Sequence, residues 1–396
     1  MGSETIETKE RIELVDALRG FALFGLLMVH MVERFELYWV EPRPDQWFDA
    51  VFAIFAGKSF AIFALLFGFS FSTIMARRRD QGIDFTARFA WRLILLFAIG
   101  TLHALLYRGD ILQVLAIAGL LLIPFDRVRN QRLLLAAAAL FFLQIPLIIQ
   151  AILAGAGVHA MQQPPLFFSD TGLQILAEGS LAQVLAVNAG VGMAAKWSFY
   201  LSTGRLGQIA GLFILGMVLQ RAGVFTQVRE KQSRWIAALV ASGLVWLVLA
   251  GFGNALVPPS PEEGGAPMQA QAMIWALDSW LALTLGAFQV CAFVLLWQPL
   301  KALLRWFVLP GRMTLTLYLG QSLVMVPIFY GFGLGYWNEI SSAQAVFAGL
   351  AFFGLQILLA TVWYRSMRYG PLEWIWRAAT FGTVRVPMRR TRDEPM

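Results

Sequence analysis

Ten apolar stretches alternate with short polar segments along this chain of 396 residues, and most of the basic residues lie in every second polar segment. Most of the stretches are long enough to cross a bilayer core of ~30 Å at ~1.5 Å per residue. The core of a water-soluble domain does not need such continuous apolar runs. The pattern therefore predicts an all-α, polytopic integral membrane protein, a helix bundle with about ten transmembrane helices.

The predicted spans cover residues 14–32, 48–76, 89–107, 111–125, 133–155, 199–220, 235–256, 271–297, 314–334 and 343–364. Of the 31 Lys and Arg residues, 24 lie in segments that are inside if the N-terminus is cytoplasmic, and four lie in the outside loops. This distribution follows the positive-inside rule and predicts that both termini are cytoplasmic. The net charge of +7 then faces anionic lipid headgroups, so we expect membrane lipids as partners and no nucleic acid.

The polar segments suggest a division into three parts. Residues 1–155 form an N-terminal five-helix half, residues 156–198 an outer loop, and residues 199–396 a C-terminal five-helix half with a basic cytoplasmic tail. Within the outer loop, Leu and Val recur at helical spacing over residues 176–194, with polar residues between them. This spacing predicts a helix lying in the outer membrane interface, and an ordinary loop is the alternative.

Metal and cofactor chemistry has little support in the sequence. Cys291 is the only cysteine and lies in an apolar span, and His30, His103 and His159 are far apart in sequence. They do not have the spacing of metal ligands. We therefore expect no metal site and no covalently bound cofactor.

The hairpin between the third and fourth spans carries the most informative polar residues. Residues 93–107 and 111–125 are fifteen residues each, or ~22 Å of helix, with only Arg108, Gly109 and Asp110 between them. Arms this short predict an apex below the outer surface, where broken helix is tolerated only inside protein or beside a water-filled cavity.

His103 lies one turn before the end of the first arm, and a tight turn can bring Asp110 back toward it. A carboxylate orients an imidazole and stabilises its protonated form, so this pair is a candidate general base. The alternative is that Arg108 and Asp110 pair with each other while His103 bonds to a neighbouring helix.

Other charges lie inside predicted spans, where they are costly and usually have a partner or a function. Asp16 and Arg19 have i, i+3 spacing, which favours a structural ion pair at the start of the first helix. Lys58 has no acidic neighbour in sequence, so it needs a carboxylate elsewhere in the chain, an anionic ligand or the membrane interface. Asp278 is the candidate carboxylate.

Five motifs occur in a fixed order along the chain: GKSFAIFALLFGFSF (57–71), GTLHALLYRGDILQVLAIAGLLL (100–122), GRMTLTLYLGQS (311–322), FGLGYW (332–337) and YGPLEWIWR (369–377). With the string that runs from Arg11 through Asp16 and Arg19 to Gly25, they resemble the YeiB-like family of bacterial membrane proteins. The C-terminal region of that family is a domain of unknown function (418). The family is itself similar to the heparan-alpha-glucosaminide acetyltransferase group of transmembrane acyltransferases.

The resemblance implies a multi-pass protein of the bacterial cytoplasmic (inner) membrane, with a pocket that opens to both faces. It also implies an acyl-CoA co-substrate on the cytoplasmic face and a sugar or lipid acceptor on the other. In the glucosaminide enzymes the resemblance places an essential histidine in the first outer loop. Here that loop, 31–47, has no histidine after His30, so His103 is the substitute.

As an acyltransferase, the protein would use His103, oriented by Asp110, as the catalytic base. A cation such as Lys58 or Arg19 would bind the donor phosphates or support the oxyanion. The full set of candidate substrate- or donor-binding residues is Arg19, Lys58, Arg108, Asp278, Arg312, Gln321 and Ser322. Hydrogen bonding between helices is the alternative role for Gln321 and Ser322.

Two other classes of function fit the same residues. Ten spans with buried ions and a short broken hairpin are also typical of a transporter or exporter of a small molecule or lipid. A non-catalytic envelope membrane protein that binds a lipid headgroup is the third interpretation. The Trp-rich and Gly-rich helix faces also permit a homo-oligomer.

Overall fold

The computed structural model describes residues 12–259 and 267–390, which form helices and connecting turns. Lys9, Arg11 and Arg392, which contribute to the predicted basic inner segments, lie outside the described residues. The first helices are α1 Glu13–Val32, α2 Gln46–Phe55, α3 Lys58–Asp80, α4 Thr86–Leu106, α5 Leu112–Asp126, α6 Gln131–Phe142, α7 Ile145–Gly155, α8 His159–Gln162, α9 Asp170–Glu178 and α10 Leu181–Val187. They are followed by α11 Met193–Ser202, α12 Arg205–Arg221, α13 Gln232–Phe252, α14 Met268–Leu296, α15 Lys301–Leu304, α16 Val308–Arg312, α17 Thr314–Phe329, α18 Ser342–Tyr364 and α19 Pro371–Phe381.

Seven helical segments of the described chain are long and apolar enough to cross a membrane: Glu13–Val40, Gln46–Asp80, Thr86–Leu106, Gln131–Gly155, Gln232–Leu256, Met268–Leu296 and Ser342–Tyr364. The pair Leu181–Ser202 and Arg205–Arg221 qualifies together but is bent by 64°, and α5 and α17 are shorter apolar helices. These helices coincide with the ten predicted stretches. The prediction of an all-α membrane helix bundle is confirmed, while the cytoplasmic placement of both termini stays a prediction.

Three of the predicted spans are not continuous helices. Between α2 and α3 the chain passes through Gly57 at φ +76°, and between α11 and α12 through Gly204 at φ +71°. Between α6 and α7, Gln144 adopts φ +54°. A left-handed residue ends a right-handed helix, so each of the spans predicted at 48–76, 133–155 and 199–220 contains parts of two helices.

Glycines allow the central helices to pack backbone to backbone. A Cβ atom added to Gly68 of α3 would lie 2.0 Å from the carbonyl oxygen of Phe213, and one added to Gly216 of α12 would lie 2.0 Å from that of Leu65. On α1, a Cβ atom added to Gly20 would lie 2.0 Å from the carbonyl oxygen of Phe307. Small residues at such contacts are typical of membrane helix packing. The resulting core combines helices from both predicted halves of the chain.

The segment from α10 to α11 packs over the turn between α4 and α5. The Asn188 side-chain amide donates a hydrogen bond of 2.9 Å to the carbonyl oxygen of Leu105. Lys196 of α11, although charged, is only 3 % exposed. Below, the end of the bundle that holds the α4–α5 turn is called the outer end, following the predicted orientation. Helix forms over most of residues 176–194, as expected, and its position in the membrane interface stays a prediction.

Candidate active site

Glycine makes the turn between α4 and α5 tight. A Cβ atom on Gly100 would lie 2.7 Å from the backbone nitrogen of Gln113 and 2.9 Å from Oδ2 of Asp110, so the start of α5 folds directly against α4. The helix α4 begins seven residues before the predicted arm, at Thr86, and is long enough to span. Its length therefore does not place the turn below the outer surface. The turn is nevertheless covered by protein, because Tyr107, Asp110 and Ile111 are all buried.

His103 and Asp110 lie in contact at this turn. The distance from Nδ1 of His103 to Oδ1 of Asp110 is 2.8 Å, and the two side chains are nearly inaccessible to solvent. Because the carboxylate accepts this bond, Nδ1 is the nitrogen that carries the proton, and Nε2 is left as an acceptor. Within the described chain, Nε2 has no hydrogen-bond partner.

Asp110 also belongs to a small polar network. Its Oδ2 accepts a hydrogen bond of 3.2 Å from the backbone nitrogen of Gln113 and lies 3.6 Å from Nζ of Lys196. Lys196 in turn donates a hydrogen bond of 2.5 Å to the side-chain oxygen of Gln113. The ammonium group balances the charge of the carboxylate, so the imidazole faces an anion that is already held in place.

Arg108 does not pair with Asp110, which was the alternative from sequence. Its guanidinium lies 2.8 Å from Oε2 of Glu36 and 4.2 Å above the ring of Phe168. Arg108, at the apex of the turn, is thus ion-paired with Glu36 of the first outer loop. This leaves Asp110 to His103 and Lys196.

Two tyrosine rings separate His103 from a second histidine. The ring centre of His103 is 5.4 Å from that of Tyr318 and 6.1 Å from that of Tyr107. The ring of His30, at the outer end of α1, lies 5.2 Å from Tyr107 and 6.5 Å from Tyr318. Both imidazoles therefore contact the same aromatic pair.

A cavity of about 180 Å³ opens beside this aromatic pair at the outer end. The residues that line it are Leu26, His30, Glu33, Phe60, Gly109, Ile111, Phe199, Tyr200 and Arg205. His103 does not line the cavity, but Gly109 and Ile111, on either side of Asp110, do. Among the described residues, no three His, Cys, Asp or Glu side chains are grouped as metal ligands would be.

The first outer loop covers this region with strained backbone. Arg34, Phe35 and Glu36 have φ values of +48°, +53° and +82°, which are rare for residues with side chains. The guanidinium of Arg34 donates to the carbonyl oxygen of Ile340 at 2.8 Å, and the Tyr330 hydroxyl donates to that of Phe35 at 3.0 Å. Strain of this kind persists only where the surrounding structure enforces it, and it is common beside functional sites.

The predicted ion pair of Asp16 and Arg19 is present at the inner end, and a third residue joins it. Nη1 of Arg19 lies 2.7 Å from one oxygen of Asp16, and Nε of Arg312 lies 3.2 Å from the other. Arg19 also donates to the hydroxyl of Ser70 at 2.5 Å. Fourteen residues of α1, or ~21 Å, separate Asp16 from His30, so this cluster does not meet the outer turn.

Lys58 and Asp278 lie near each other but are not an ion pair. Nζ of Lys58 donates to the carbonyl oxygen of Phe52 at 3.3 Å. Lys58 interacts electrostatically with Asp278 and with Arg205. However, the charged groups of Lys58 and Asp278 are more than 4.0 Å apart. Lys58 begins α3 at the outer end, so the structure does not bring it together with Arg19 or Arg312.

The two polar candidates on α17 are buried between helices. The amide nitrogen of Gln321 donates to the side-chain oxygen of Gln356 at 3.1 Å, and Gln356 donates to the carbonyl oxygen of Leu317 at 3.1 Å. Gln321 therefore links α17 to α18. The Ser322 hydroxyl is buried and has no hydrogen-bond partner in the described part of the chain.

Sequence reasoning missed three residues of this region. His30 was set aside because it precedes the first outer loop, yet it lines the cavity. Lys196 was counted as an outer-loop residue, although a single lysine in the apolar run 191–201 was a usable signal. Arg205 was counted at the edge of a span, and the glycine before it gave the only indication of a helix start.

Two family models match the chain. Residues 11–167 match the catalytic region of heparan-alpha-glucosaminide N-acetyltransferase, and residues 219–383 match a protein family of unknown function, DUF418. The first match contains His103 and Asp110. Lys196 and Arg205 lie between the two matched regions.

Three relatives match along nearly their whole length. The uncharacterized protein YxaH of Bacillus subtilis (strain 168) is 28 % identical over 94 % of this chain and 95 % of its own. The uncharacterized protein YeiB of Escherichia coli (strain K12) is 26 % identical over 94 % and 96 %. Both similarities extend over nearly the whole of this chain. An uncharacterized 39.9 kDa protein in the amylase 3′ region of Bacillus acidopullulyticus is 25 % identical over 96 % of each chain. The predicted resemblance to the YeiB-like proteins is thereby confirmed.

Proposed function

We propose that this YeiB-like protein is a transmembrane acyltransferase that moves an acyl group from a cytoplasmic acyl-CoA to an extracytoplasmic or lipid-linked acceptor. The observation that carries the proposal is the 2.8 Å contact of His103 with Asp110, which leaves a buried Nε2 without a partner. The match of residues 11–167 to an acetyltransferase catalytic region supports the same reaction class.

In this proposal His103 is the general base. Asp110 holds the proton on Nδ1, so the lone pair of Nε2 can take a proton from an acceptor hydroxyl or amine. The acceptor oxygen or nitrogen bonds to the thioester carbonyl carbon, and the carbon–sulfur bond then breaks. The imidazolium returns its proton to the leaving thiolate. Asp110 stabilises the imidazolium that forms, and the ammonium group of Lys196 helps to hold this carboxylate in place.

The acceptor would enter from the outer cavity. Tyr107 and Tyr318 flank His103 on the side where His30 lies, and His30 lines that cavity. The proposal therefore requires the Tyr107 or Tyr318 ring to move before the acceptor can reach Nε2. The coenzyme would approach from the inner end, where Arg312 is the candidate for its phosphates.

The test is acyl transfer by the purified protein in proteoliposomes, measured as release of the coenzyme thiol and as labelled acyl group on the acceptor. His103→Ala should reduce the rate by about 10²–10⁴, the usual contribution of a general base. Acetyl-CoA or a long-chain acyl-CoA should still raise Tm, because the variant keeps the donor site. His159→Ala removes an exposed histidine of α8 and should leave transfer unchanged.

Unchanged transfer in His103→Ala would remove the base assignment. If no acyl-CoA shifts Tm of the wild-type protein, the acyltransferase proposal itself is wrong.

One observation favours a second candidate, a transporter or exporter. The helices Leu181–Ser202 and Arg205–Arg221 form a broken pair bent by 64° beside the outer cavity, and carriers often build their sites from discontinuous helices. A carrier would move its cargo across proteoliposomes and ignore the coenzyme. Cargo movement with no response to acyl-CoA would select this function.

A further inference from the structure

Arg205 is a partly buried cation for which the described chain supplies no counter-ion in contact. It is the first residue of α12, where the helix dipole is positive and a cation is disfavoured. Its guanidinium has a ring contact with Phe199 at 5.7 Å but no hydrogen bond and no ion pair within 4.0 Å among the described residues. Asp278 and Glu33 attract it from a greater distance.

A second helix start lies beside Arg205. Gly57, at φ +76°, precedes Lys58 and α3, as Gly204, at φ +71°, precedes Arg205 and α12. A Cβ atom on Gly57 would lie 3.5 Å from Nη1 of Arg205, so the two starts are in contact. Lys58 repels Arg205. Two helix N-termini and two cations therefore converge at the outer end, an arrangement that attracts anions.

An independent observation in the same cavity also points to a ligand. His30 is 8 % exposed and lines the cavity together with Arg205, yet its Nδ1 is buried with no hydrogen-bond partner in the described chain. A buried polar atom without a partner is costly, so such atoms are uncommon away from binding sites. Glu33, on the same wall, supplies a carboxylate acceptor.

We propose that the outer cavity binds a phosphate-bearing ligand, with the phosphate on Arg205 and a hydroxyl or amine of the ligand directed to His30 and Glu33. A guanidinium binds phosphate through two parallel charge-assisted hydrogen bonds, and these are strong in a site with little water. The ligand is either a phospholipid headgroup or a soluble sugar phosphate, since both carry this chemistry. Binding of this ligand does not depend on the proposed function. Only its role as the acyl acceptor rests on the proposed function.

The experiment measures Tm of the full-length protein in an uncharged detergent, without coenzyme. One arm adds mixed micelles of phosphatidylethanolamine or phosphatidylglycerol, with the phosphate-free digalactosyldiacylglycerol as reference. The other arm adds glucosamine 6-phosphate, with glucosamine as reference. We expect one of the phosphate compounds to raise Tm, and the arm that responds identifies the source of the phosphate.

Matched variants assign the effect to the site. Arg205→Gln should weaken the apparent affinity by about tenfold or more, and Arg205→Lys by less, because an ammonium keeps the charge but not the paired bonds. Arg205→Gln should fold, since no described contact holds this side chain except the Phe199 ring. Arg43→Gln is the control, because Arg43 is an outer arginine whose only described ion pair, with Glu41, is exposed.

No response of the wild-type protein to either phosphate compound would overturn the inference, and so would an equal response in Arg205→Gln. These outcomes are separate from the proposed function, because the assay contains no acyl-CoA. Phosphate binding without acyl transfer would leave this site as that of a carrier or lipid-binding protein. Transfer without phosphate binding would mean that the acceptor is uncharged.

Discussion

The inner and outer ends of this helix bundle use charge in different ways. At the inner end, Asp16 is held by two arginines, and Asp126 contacts Arg79 and Arg221. At the outer end, His103 and His30 each keep a buried nitrogen without a partner in the described chain. Inner charges therefore stabilise the packing of helices. Outer polar groups are left available at a cost in stability, which is the usual sign of a site.

The backbone shows the same contrast. Three consecutive residues with side chains, Arg34 to Glu36, adopt positive φ in the outer loop that covers His30. The inner connection from α3 to α4 instead turns on Gly82, at φ +72°, where a glycine has no penalty. These three strained residues thus lie at the end that carries the two unpartnered imidazole nitrogens, as expected if that end was selected for function.

The largest expected effect is on catalysis, from Asp110→Asn at the outer end. An amide can still accept a bond from Nδ1, but it cannot stabilise the imidazolium that forms during the reaction. We expect acyl transfer to fall by about 10²–10⁴ while most molecules remain folded. The measurement is the transfer rate per folded molecule, with Asp126→Asn at the inner end as the control. Equal losses of transfer rate in the two variants would show that the inner and outer ends do not differ in their role in catalysis.

The next effect is on stability, from Asp16→Ala at the inner end. Removing this buried carboxylate leaves the partly buried guanidiniums of Arg19 and Arg312 without their shared partner, at an expected cost of about 3 kcal/mol in the free energy of unfolding. Glu41→Ala breaks an exposed pair and should cost less than about 1 kcal/mol. Denaturant unfolding in detergent compares them. If Asp16→Ala instead kept full stability, the inner cluster would not be what holds α1 in place.

How much of the candidate site could be anticipated depends on distance along the chain. His103 and Asp110 are seven residues apart across one turn, so local helix geometry was enough to place them together. Lys196 reaches the same carboxylate from 86 residues further on, through a helix that ends in a 64° bend. Hydropathy does not encode that bend, so the third member of the network could not be predicted. The catalytic role of the pair remains a prediction.

The fold was easier to anticipate than its breaks. Apolar length alone located the membrane helices, because a bilayer imposes one thickness on all of them. The break at Gln144 lies two residues before Pro146, which occupies the first turn of α7, and the prediction of one span over 133–155 did not use this signal. The contact of α3 with α12 depends on Gly68 and Gly216, and glycines of this kind look the same in sequence as glycines that face lipid.

A prediction of intermediate size concerns the contact of α3 with α12, which belongs to the scaffold that both ends share. Gly68→Ala would place a methyl group 2.0 Å from a backbone oxygen of α12 and should destabilise the protein by about 1–3 kcal/mol. The helical Gly354 of α18 has no atom within 4 Å of its Cβ position, so Gly354→Ala should be neutral or slightly stabilising. Thermal unfolding of the two variants tests this. Equal Tm values would mean that α3 and α12 are not packed this closely.

The smallest expected effect concerns Glu373 of α19, a surface helix at the inner end. Its carboxylate accepts hydrogen bonds from the backbone nitrogen of Leu315 at 2.6 Å and from the Thr316 hydroxyl at 2.6 Å, which attaches α19 to the start of α17. Burial raises the pKa of this carboxyl above its ordinary value of 4.5, and the donors of α17 oppose the shift. A raised folded-state pKa means that its contribution to stability is complete below about pH 4.5 and is lost as pH rises through the folded-state value.

Glu373→Gln keeps the shape of the side chain and removes its ionisation, so it isolates this contribution. We expect the Tm of the wild-type protein, measured relative to that of Glu373→Gln, to decrease as pH rises above about 4.5. A difference that grows with pH would show that the hydrogen-bond donors of α17 outweigh burial and that the ionised carboxylate is the preferred form. The inner end would then hold its surface helix by charge, as it holds α1 through Asp16, and the contrast with the outer end would be sharper.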